Sequence, residues 1–182
     1  PIPLQSKVKQ ELDRLEELGV IAPIEEHTEW CAPMVVVPKS SGAVRICVDL
    51  TQLNKAVKRE RTMLPTVDGT LAQMAGARIF SKLDANQGYH QLPLHEDSQK
   101  LTCFITPFGR YIHKRLPFGI TSGPEIFQKR VTDVLSGLVG VVCLMDDIVV
   151  FGSDKKEHDE RLTKVLDRLS KAGVTLNKEK CE

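Results

Sequence analysis

The residues with the clearest potential for chemistry are two adjacent acids, Asp146 and Asp147, set between two apolar runs. The flanking runs 141–145 and 148–151 have the composition of buried strands, so the pair is predicted to lie in a tight turn between two strands. Like charges held side by side beside a hydrophobic sheet are costly unless a cation binds there. All-oxygen ligands favour Mg²⁺ or Mn²⁺. The alternative is an ordinary hairpin turn with solvated aspartates, because Asp is common in turns.

A third carboxylate is needed if the pair holds two metal ions, because such ions lie ~4 Å apart and take ligands from separate parts of a chain. Asp84 is the best candidate, since it ends the strand-like run 78–83, whereas most other acids lie on predicted helix surfaces or in polar loops. Its alternative role is an N-cap on the turn that follows.

Composition sets broad limits on the class of protein. The 182 residues can form one domain or two packed subdomains, and 41% hydrophobic with 27% charged residues is typical of a globular protein. A formal net charge of +1 does not decide whether nucleic acid is a partner. The five cysteines are irregularly spaced, which indicates buried thiols in a reducing compartment rather than a disulfide frame or a zinc cluster. With no leader and no run of membrane-spanning length, we expect a soluble intracellular protein.

The elements that must position the acids follow from hydrophobic periodicity. An amphipathic helix is predicted over 4–18, a short extended piece over 20–24, and a short helix over 50–57. Hairpins are predicted for 34–48, for 102–116 and for the stretch around the acidic pair. Further helices are predicted from Pro65 to Met74, from a capping box at Ser122 to Leu138, and from Asp154 to Gly173. Hairpins interspersed with helices, without regular strand–helix alternation, predict an α+β fold.

Five blocks of this sequence, in order, resemble reverse transcriptases of the Ty3/gypsy class of LTR retrotransposons, which are related to retroviral pol. The blocks are Val37-Pro38-Lys39 with 45–55, Phe80 to Asp84 with Gly88 to Gln91, Leu116 to Gln128, Met145 to Phe151, and the tail from His158 to Cys181. The resemblance covers nearly the whole chain. It implies a right-hand polymerase fold, with fingers roughly at 1–58 and 92–122, and palm roughly at 59–91 and 123–182, the antiparallel palm sheet packed on helices.

The resemblance also implies an RNA-directed DNA polymerase that copies DNA templates as well. Asp84, Asp146 and Asp147 would be its catalytic carboxylates. Two Mg²⁺ ions, for which Mn²⁺ can substitute, would be bridged by Asp84 and Asp146, with Asp147 supporting the geometry. One ion would lower the pKa of the primer 3′-hydroxyl, and the other would hold the triphosphate and stabilise the leaving pyrophosphate. Catalysis of this kind is mostly positioning and charge neutralisation, so no nucleophilic side chain is needed.

The resemblance assigns nucleotide contacts to residues that would otherwise be ordinary surface or core positions. Lys39 and Arg45 would hold the phosphates of the incoming dNTP, although by themselves they are solvated hairpin charges. Tyr89 would exclude a 2′-hydroxyl by bulk, where the alternative is a core-filling ring. The backbone at Ala85 and the side chains of Phe118 and Met145 would complete the pocket. Candidate contacts to template or primer, which would make binding salt-dependent, are Gln91, Lys55, Arg59, Lys114, Arg115, Lys129 and Arg130.

Two features depart from the family pattern. Leu144 stands where Tyr or His is usual, which we expect to weaken hydrogen bonding around the hairpin without removing a metal ligand. The chain stops at Cys181-Glu182, before the primer grip, thumb, connection, RNase H and integrase of such a polyprotein, so we expect poor retention of a template with its primer. We expect a cytoplasmic location, including virus-like particles.

Two other functions stay open. A truncated or decayed polymerase would act only as a nucleic-acid-binding or interaction module. A metal-dependent nuclease could use the same carboxylates.

Overall fold

This structure is a computed structural model that describes residues 2–39, 42–59, 67–144 and 147–182. The chain divides into two units, each made of two segments. The first unit comprises Pro1–Arg59 and Leu92–Gly123, and the second comprises Glu60–Gln91 and Pro124–Glu182. The chain therefore leaves the first unit, builds part of the second, and returns.

The first unit contains a five-stranded sheet with the strand order β1-β6-β5-β2-β3. Its strands are β1 (Ile21–Pro23), β2 (Ala32–Pro38), β3 (Val44–Val48), β5 (Phe104–Thr106) and β6 (Gly109–His113). Strands β2 and β5 are parallel, and the other neighbours are antiparallel. The helices are α1 (Ile2–Glu17), α2 (Thr51–Ala56) and α4 (Glu96–Gln99).

Strand alternation and helix periodicity build the core of this unit. Successive residues of a strand point to opposite faces, so Met34 and Val36 face the core while Val35 and Val37 are exposed. Helix α1 contributes Val8, Leu12 and Leu15 to the same core cluster. The helix ends at Glu17, and the turn that follows it contains Gly19, whose φ of 65° is a conformation that favours glycine.

The second unit contains a three-stranded antiparallel sheet with the order β4-β8-β7. Its elements are α3 (Val67–Gln73), β4 (Ile79–Asp84), α5 (Gly123–Leu135), β7 (Val141–Leu144), β8 (Asp147–Gly152) and α6 (Lys155–Lys171). Among the most buried side chains are Ile148 and Val150 of the central strand, together with Val131, Val165 and Leu169 of the helices. This arrangement places β8, which begins at Asp147, in the middle of the sheet.

Helix α6 begins at a cap formed by two acids. The Asp154 carboxylate accepts a hydrogen bond from the Glu157 amide at 2.9 Å. Glu157 in turn accepts from the Ser153 amide at 2.7 Å. The predicted helix start at Asp154 is therefore present with an Asp–Glu cap, in which Glu157 accepts from the amide of Ser153, the residue before the N-cap, rather than from the N-cap itself.

The predicted α+β class and the strand pairs of all three hairpins are confirmed. The pairing of β1 with β6 and the parallel pairing of β2 with β5 were not predicted, because they join segments far apart in sequence. The predicted helix start at Pro65, together with Met145 and the turn residue Asp146, lies outside the described residues. Asp147, which was predicted to lie in the turn with Asp146, is instead the first residue of β8. In the described part of the chain, no helix is both long and apolar enough to cross a membrane.

Candidate active site

Asp84 and Asp147 occupy directly opposed positions on neighbouring antiparallel strands. Asp84 is the last residue of β4, Asp147 is the first residue of β8, and the strand register pairs the two. Opposed residues in an antiparallel pair project to the same face with β-carbons about 5 Å apart. The side chains are 18% exposed for Asp84 and 43% exposed for Asp147. Two of the predicted catalytic acids are thus brought together at one end of the sheet, while Asp146 lies outside the described residues.

Two lysines lie beside these carboxylates. Lys82 Nζ is 3.2 Å from Asp147 Oδ2. Lys180 Nζ is 3.8 Å from Asp84 Oδ1. Lys82 shares a sheet face with Asp84, because the two are separated by one residue of the strand. Each of the two opposed acids therefore has a lysine nearby. A nearby positive charge favours the ionised form of a carboxylate, which offsets the repulsion between the two acids.

The outer edge of β4 is hydrogen-bonded to the segment 175–182. The Asn177 amide donates to the Asp84 carbonyl at 2.9 Å, and the Asn86 amide donates to the Thr175 carbonyl at 3.0 Å. Between these bonds Ala85 pairs with Leu176 and is 5% exposed. The backbone at Ala85 is thereby held in place beside Asp84. Within the described residues the Asp84 carboxylate contacts Lys180 and no amide of the following turn, so the N-cap alternative has no support.

Tyr89 lies on a short 3₁₀ turn (Gly88–Gln91) that follows Asp84. It is half-buried, and its ring meets that of Phe127 edge-on at a centroid distance of 5.7 Å. A β-carbon on Gly88 would lie 2.7 Å from the Phe127 ring, so this close approach requires glycine. Tyr89 is therefore partly exposed and packs against the buried Phe127.

The Gln91 side chain links this turn to Thr175. Its side-chain amide donates to the Asn86 carbonyl at 2.7 Å and to the Thr175 carbonyl at 2.9 Å. Its side-chain oxygen accepts from the Thr175 amide at 2.9 Å. Gln91 was predicted to contact template or primer, and that remains a prediction. In this structure its side chain connects the turn to Thr175 by hydrogen bonds.

Lys39 and Arg45 flank the hairpin of the first unit. Arg45 pairs with Val37 in the strand register, and the Lys39 amide donates to the Ala43 carbonyl at 2.8 Å. Both side chains are exposed, and among the described residues neither has an acidic partner. The structure therefore leaves two cations at the end of this hairpin.

Phe118 is 48% exposed, so its alternative interpretation as a core residue is wrong. The loop that carries it is held by Asn54, which was not predicted as a site residue. The Asn54 amide donates to the Gly119 carbonyl at 2.8 Å, and its oxygen accepts from the Thr121 amide at 3.0 Å. An asparagine that directly follows the buried Leu53 on a short helix was the available signal, since a polar side chain there needs partners.

The remaining predicted contacts to nucleic acid are surface residues. Lys55, Arg59, Lys114, Lys129 and Arg130 are exposed, and Arg115 is half-buried. These residues stay predictions. Lys82 and Lys180 were missed as neighbours of the acids because ion pairs between segments that are distant in sequence are not visible in a local pattern.

The donor set of the opposed acids suits a hard divalent cation, since both ligands are carboxylates on one face. Among the described residues, no group of three His, Cys, Asp or Glu side chains that could hold a metal is found. The described part of the site therefore contributes two carboxylates.

Comparison with known families and proteins is consistent with this geometry. Residues 37–182 match the family described as reverse transcriptase (RNA-dependent DNA polymerase). The chain is 37% identical over 186 residues to the uncharacterized protein K02A2.6 of Caenorhabditis elegans, which covers 100% of this chain and 14% of that protein. It is 34% identical over 187 residues to the retrovirus-related Pol polyprotein from transposon opus of Drosophila melanogaster, covering 99% of this chain and 18% of the polyprotein.

Solved structures show the same fold. Prototype foamy virus protease-reverse transcriptase (CSH mutant) superimposes with a TM-score of 0.90 at 28% identity, covering 100% of this chain and 24% of that chain. The foamy viral protease-reverse transcriptase in complex with an RNA/DNA hybrid gives a TM-score of 0.83 at 25% identity, covering 100% of this chain and 24% of that chain. This chain thus corresponds to a minor part of each of these longer proteins.

Proposed function

The chain belongs to the reverse transcriptase (RNA-dependent DNA polymerase) family, and from this premise we propose that it is the fingers and palm part of an RNA-directed DNA polymerase within a retrotransposon polyprotein. The first unit, Pro1–Arg59 with Leu92–Gly123, is the fingers in this proposal, and the second unit is the palm. The longer polyprotein supplies thumb, connection, RNase H and integrase, and is located in the cytoplasm and in virus-like particles.

The observation that carries the proposal is the pairing of Asp84 with Asp147 across the sheet. The two carboxylates are 63 positions apart in the sequence, and the antiparallel register of β4 and β8 places them on one face. Two like charges held so close together are costly unless a positive group neutralises them. With Asp146 completing the set, as the family resemblance implies, Asp84, Asp146 and Asp147 hold Mg²⁺. When bound, Mg²⁺ supplies the charge that favours an ionised primer 3′-hydroxyl and a leaving pyrophosphate.

The chain's own residues then have positioning roles. The strand pairing of β4 and the hydrogen bond from Asn177 fix the backbone of Asp84. The carboxylate is therefore attached to a backbone that does not have to be reorganised during the reaction. Lys39 and Arg45 bind the phosphates of a dNTP, which agrees with their exposure and with the lack of acidic partners among described residues. Ala85, Tyr89, Phe118 and Met145 contact the base and sugar, with Tyr89 rejecting a 2′-hydroxyl.

A template with its primer is the proposed macromolecular partner. The similar foamy viral protein is described in complex with dsDNA and with an RNA/DNA hybrid. For this chain the proposal predicts binding of both kinds of duplex. Phosphate contacts by lysine and arginine release counterions, so the affinity should fall steeply as salt rises.

The test is Mg²⁺-dependent binding of a dNTP and extension of a primer on an RNA template. Asp84→Asn and Asp147→Asn should each weaken Mg²⁺ binding, measured by calorimetry, and reduce extension by about 10²-fold or more, because charge stabilisation is lost. Asp133→Asn is the matched control, since Asp133 is an exposed acid on α5 of the same unit. Mg²⁺ affinity unchanged by Asp84→Asn would contradict the proposal.

The alternative is a polymerase fragment that binds nucleic acid or a partner without catalysis. It predicts duplex binding that does not depend on Mg²⁺ or on Asp84, and no extension even when the downstream region of the parent reading frame is present. Extension that appears once that region is restored would exclude this alternative. Loss of labelled duplex without added nucleotides would indicate a nuclease instead.

A further inference from the structure

Two cysteines of the first unit lie in contact although they are distant in sequence. Cys31 Sγ and Cys103 Sγ are 3.9 Å apart, although the two residues are 72 positions apart in the sequence. Each directly precedes a strand, and the parallel pairing of those strands begins at Ala32 and Phe104. The Ala32 amide donates to the Cys103 carbonyl at 2.8 Å, which continues the pairing up to the cysteines. The contact is therefore imposed by the sheet rather than by a chance side-chain orientation.

We propose that Cys31 and Cys103 form a reversible disulfide when the protein meets a low-molecular-weight disulfide. Backbones of adjacent strands lie about 4.8 Å apart, which falls within the range of backbone separations that a disulfide spans. The two sulfurs need to approach by about 2 Å, a movement that side-chain rotation supplies. This site goes beyond the proposed polymerase function and does not depend on it.

The two thiols have distinct roles in the exchange. Cys31 is exposed, so a small disulfide can reach it. The Cys31 thiolate attacks one sulfur of the small disulfide, leaving a mixed disulfide on Cys31, and the proton that Cys31 gave up ends on the small thiol that is released. Cys103 is 0% exposed and already touches Cys31, so its thiolate then attacks the Cys31 sulfur and displaces the second small thiol. Two electrons and two protons pass from the protein thiols to the small disulfide, which becomes two thiols.

The rate of the first step should depend on pH. Partial burial of the Cys31 thiol raises its pKa, and the neighbouring Cys103 adds to the rise. Since the thiolate is the attacking species, oxidation should become faster as the pH rises toward that pKa. Arg110, the charged group that acts on Cys31, opposes part of this rise.

The disulfide would join the starts of β2 and β5, which are neighbours in the sheet but distant in the sequence. A cross-link that closes so long a loop restricts the unfolded chain strongly, so the melting temperature of the oxidised protein should rise by about 5 °C and return on reduction. Two of the other described cysteines have contacts of a different kind. Cys47 pairs with Val35 in the strand register, and the Cys181 thiol contacts the Asn177 carbonyl oxygen at 3.2 Å.

The experiment treats the reduced protein with oxidised glutathione, quenches with acid, and maps disulfides by mass spectrometry of peptides. We expect loss of two hydrogen masses and a peptide pair joined through Cys31 and Cys103. Cys31→Ser should abolish the bond, Cys103→Ser should accumulate the mixed disulfide on Cys31, and Cys47→Ser is the matched control that should behave as the parent does. The melting temperature is measured on each sample.

Three results would overturn the proposal. They are a stable mixed disulfide on Cys31 of the parent protein, a bond that uses another cysteine or a second copy of the chain, and five unmodified thiols after the treatment. Because peptide mapping of the parent protein alone gives each of these results, the test holds even if Cys103→Ser fails to fold.

Discussion

A β-carbon on Gly88 would lie 2.7 Å from the ring of Phe127, so that ring occupies the space in which another residue would place its side chain. Phe127 is 2% exposed, and its ring supports Tyr89 at a centroid distance of 5.7 Å. The absence of a side chain at position 88 thus sets where Tyr89 lies. Glycine is required at position 88 for lack of space, because a β-carbon there would clash with the Phe127 ring, which is packed on all sides.

We predict that Gly88→Ala destabilises the protein by roughly 1–3 kcal/mol, the usual cost of overpacking a core, as measured by denaturant unfolding. The added methyl group should also move Tyr89, so discrimination against ribonucleotides should change if Tyr89 has its proposed role. Adding Phe127→Leu to this variant should recover part of the loss by making room. A Gly88→Ala protein as stable as the parent would show that the Phe127 ring moves aside at little energetic cost.

A second prediction concerns Lys82, whose ammonium lies 3.2 Å from the Asp147 carboxylate. The Lys82 ammonium neutralises part of the negative charge that would attract a metal ion, so Lys82→Met should tighten Mg²⁺ binding by about 2–5-fold. The effect is modest because both side chains are partly exposed and their charges are screened. Calorimetric titration at low salt measures it. Lys164→Met, at an exposed position on α6, should leave the affinity unchanged. Weaker Mg²⁺ binding by Lys82→Met would refute the idea of competition.

Local sequence patterns were sufficient to predict most of the helices and strands, and to predict that Asp84 could lie near the acidic pair. Apolar runs with the composition of buried strands predicted the strands around the acidic pair, and the position of Asp84 at a strand end predicted that it could meet them. The structure pairs Asp84 with Asp147 because β4 and β8 are neighbours over their whole length. Antiparallel neighbours fix which residues oppose each other, so a strand-end residue has a small set of partners.

The parts that sequence reasoning missed depend on contacts between distant segments. Asn54 and Gly119 are 65 residues apart, and Gln91 and Thr175 are 84 apart, so no local pattern links them. The exposure of Phe118 was missed because an aromatic residue is usually assigned to the core on composition alone. Cys31 was expected to be buried and is exposed, since it precedes its strand rather than lying within it.

A third prediction concerns the cap of α6 and its response to pH. Hydrogen bonds from the Ser153 amide and hydroxyl, with Arg161 nearby, hold the pKa of Glu157 below its usual range. A carboxyl whose pKa is lower in the folded state contributes stability above its unfolded pKa and loses it as the pH falls through the folded value. The melting temperature of the parent should therefore exceed that of Glu157→Gln above about pH 5, and the difference should shrink at lower pH.

The control for this prediction is Glu160→Gln, an exposed position on the same helix. Its difference from the parent should be small at every pH, since surface substitutions usually change stability little. A Glu157→Gln difference that is constant from pH 7 down to pH 3 would show that the hydrogen bonds do not distinguish the ionised carboxylate.

The last prediction concerns the two hydrogen bonds by which Asn54 holds the loop of Phe118. Asn54→Ala removes both bonds, so exchange of the Thr121 amide hydrogen should become about tenfold faster or more, and stability should fall by roughly 1–2 kcal/mol. Asn54→Asp keeps the oxygen that accepts from Thr121 and loses the donor to Gly119, so it should retain most of the amide protection. Gln52→Ala, at an exposed position on the same helix, is the control. Equal Thr121 exchange in Asn54→Ala and the parent would mean that the loop is shaped by its own backbone instead.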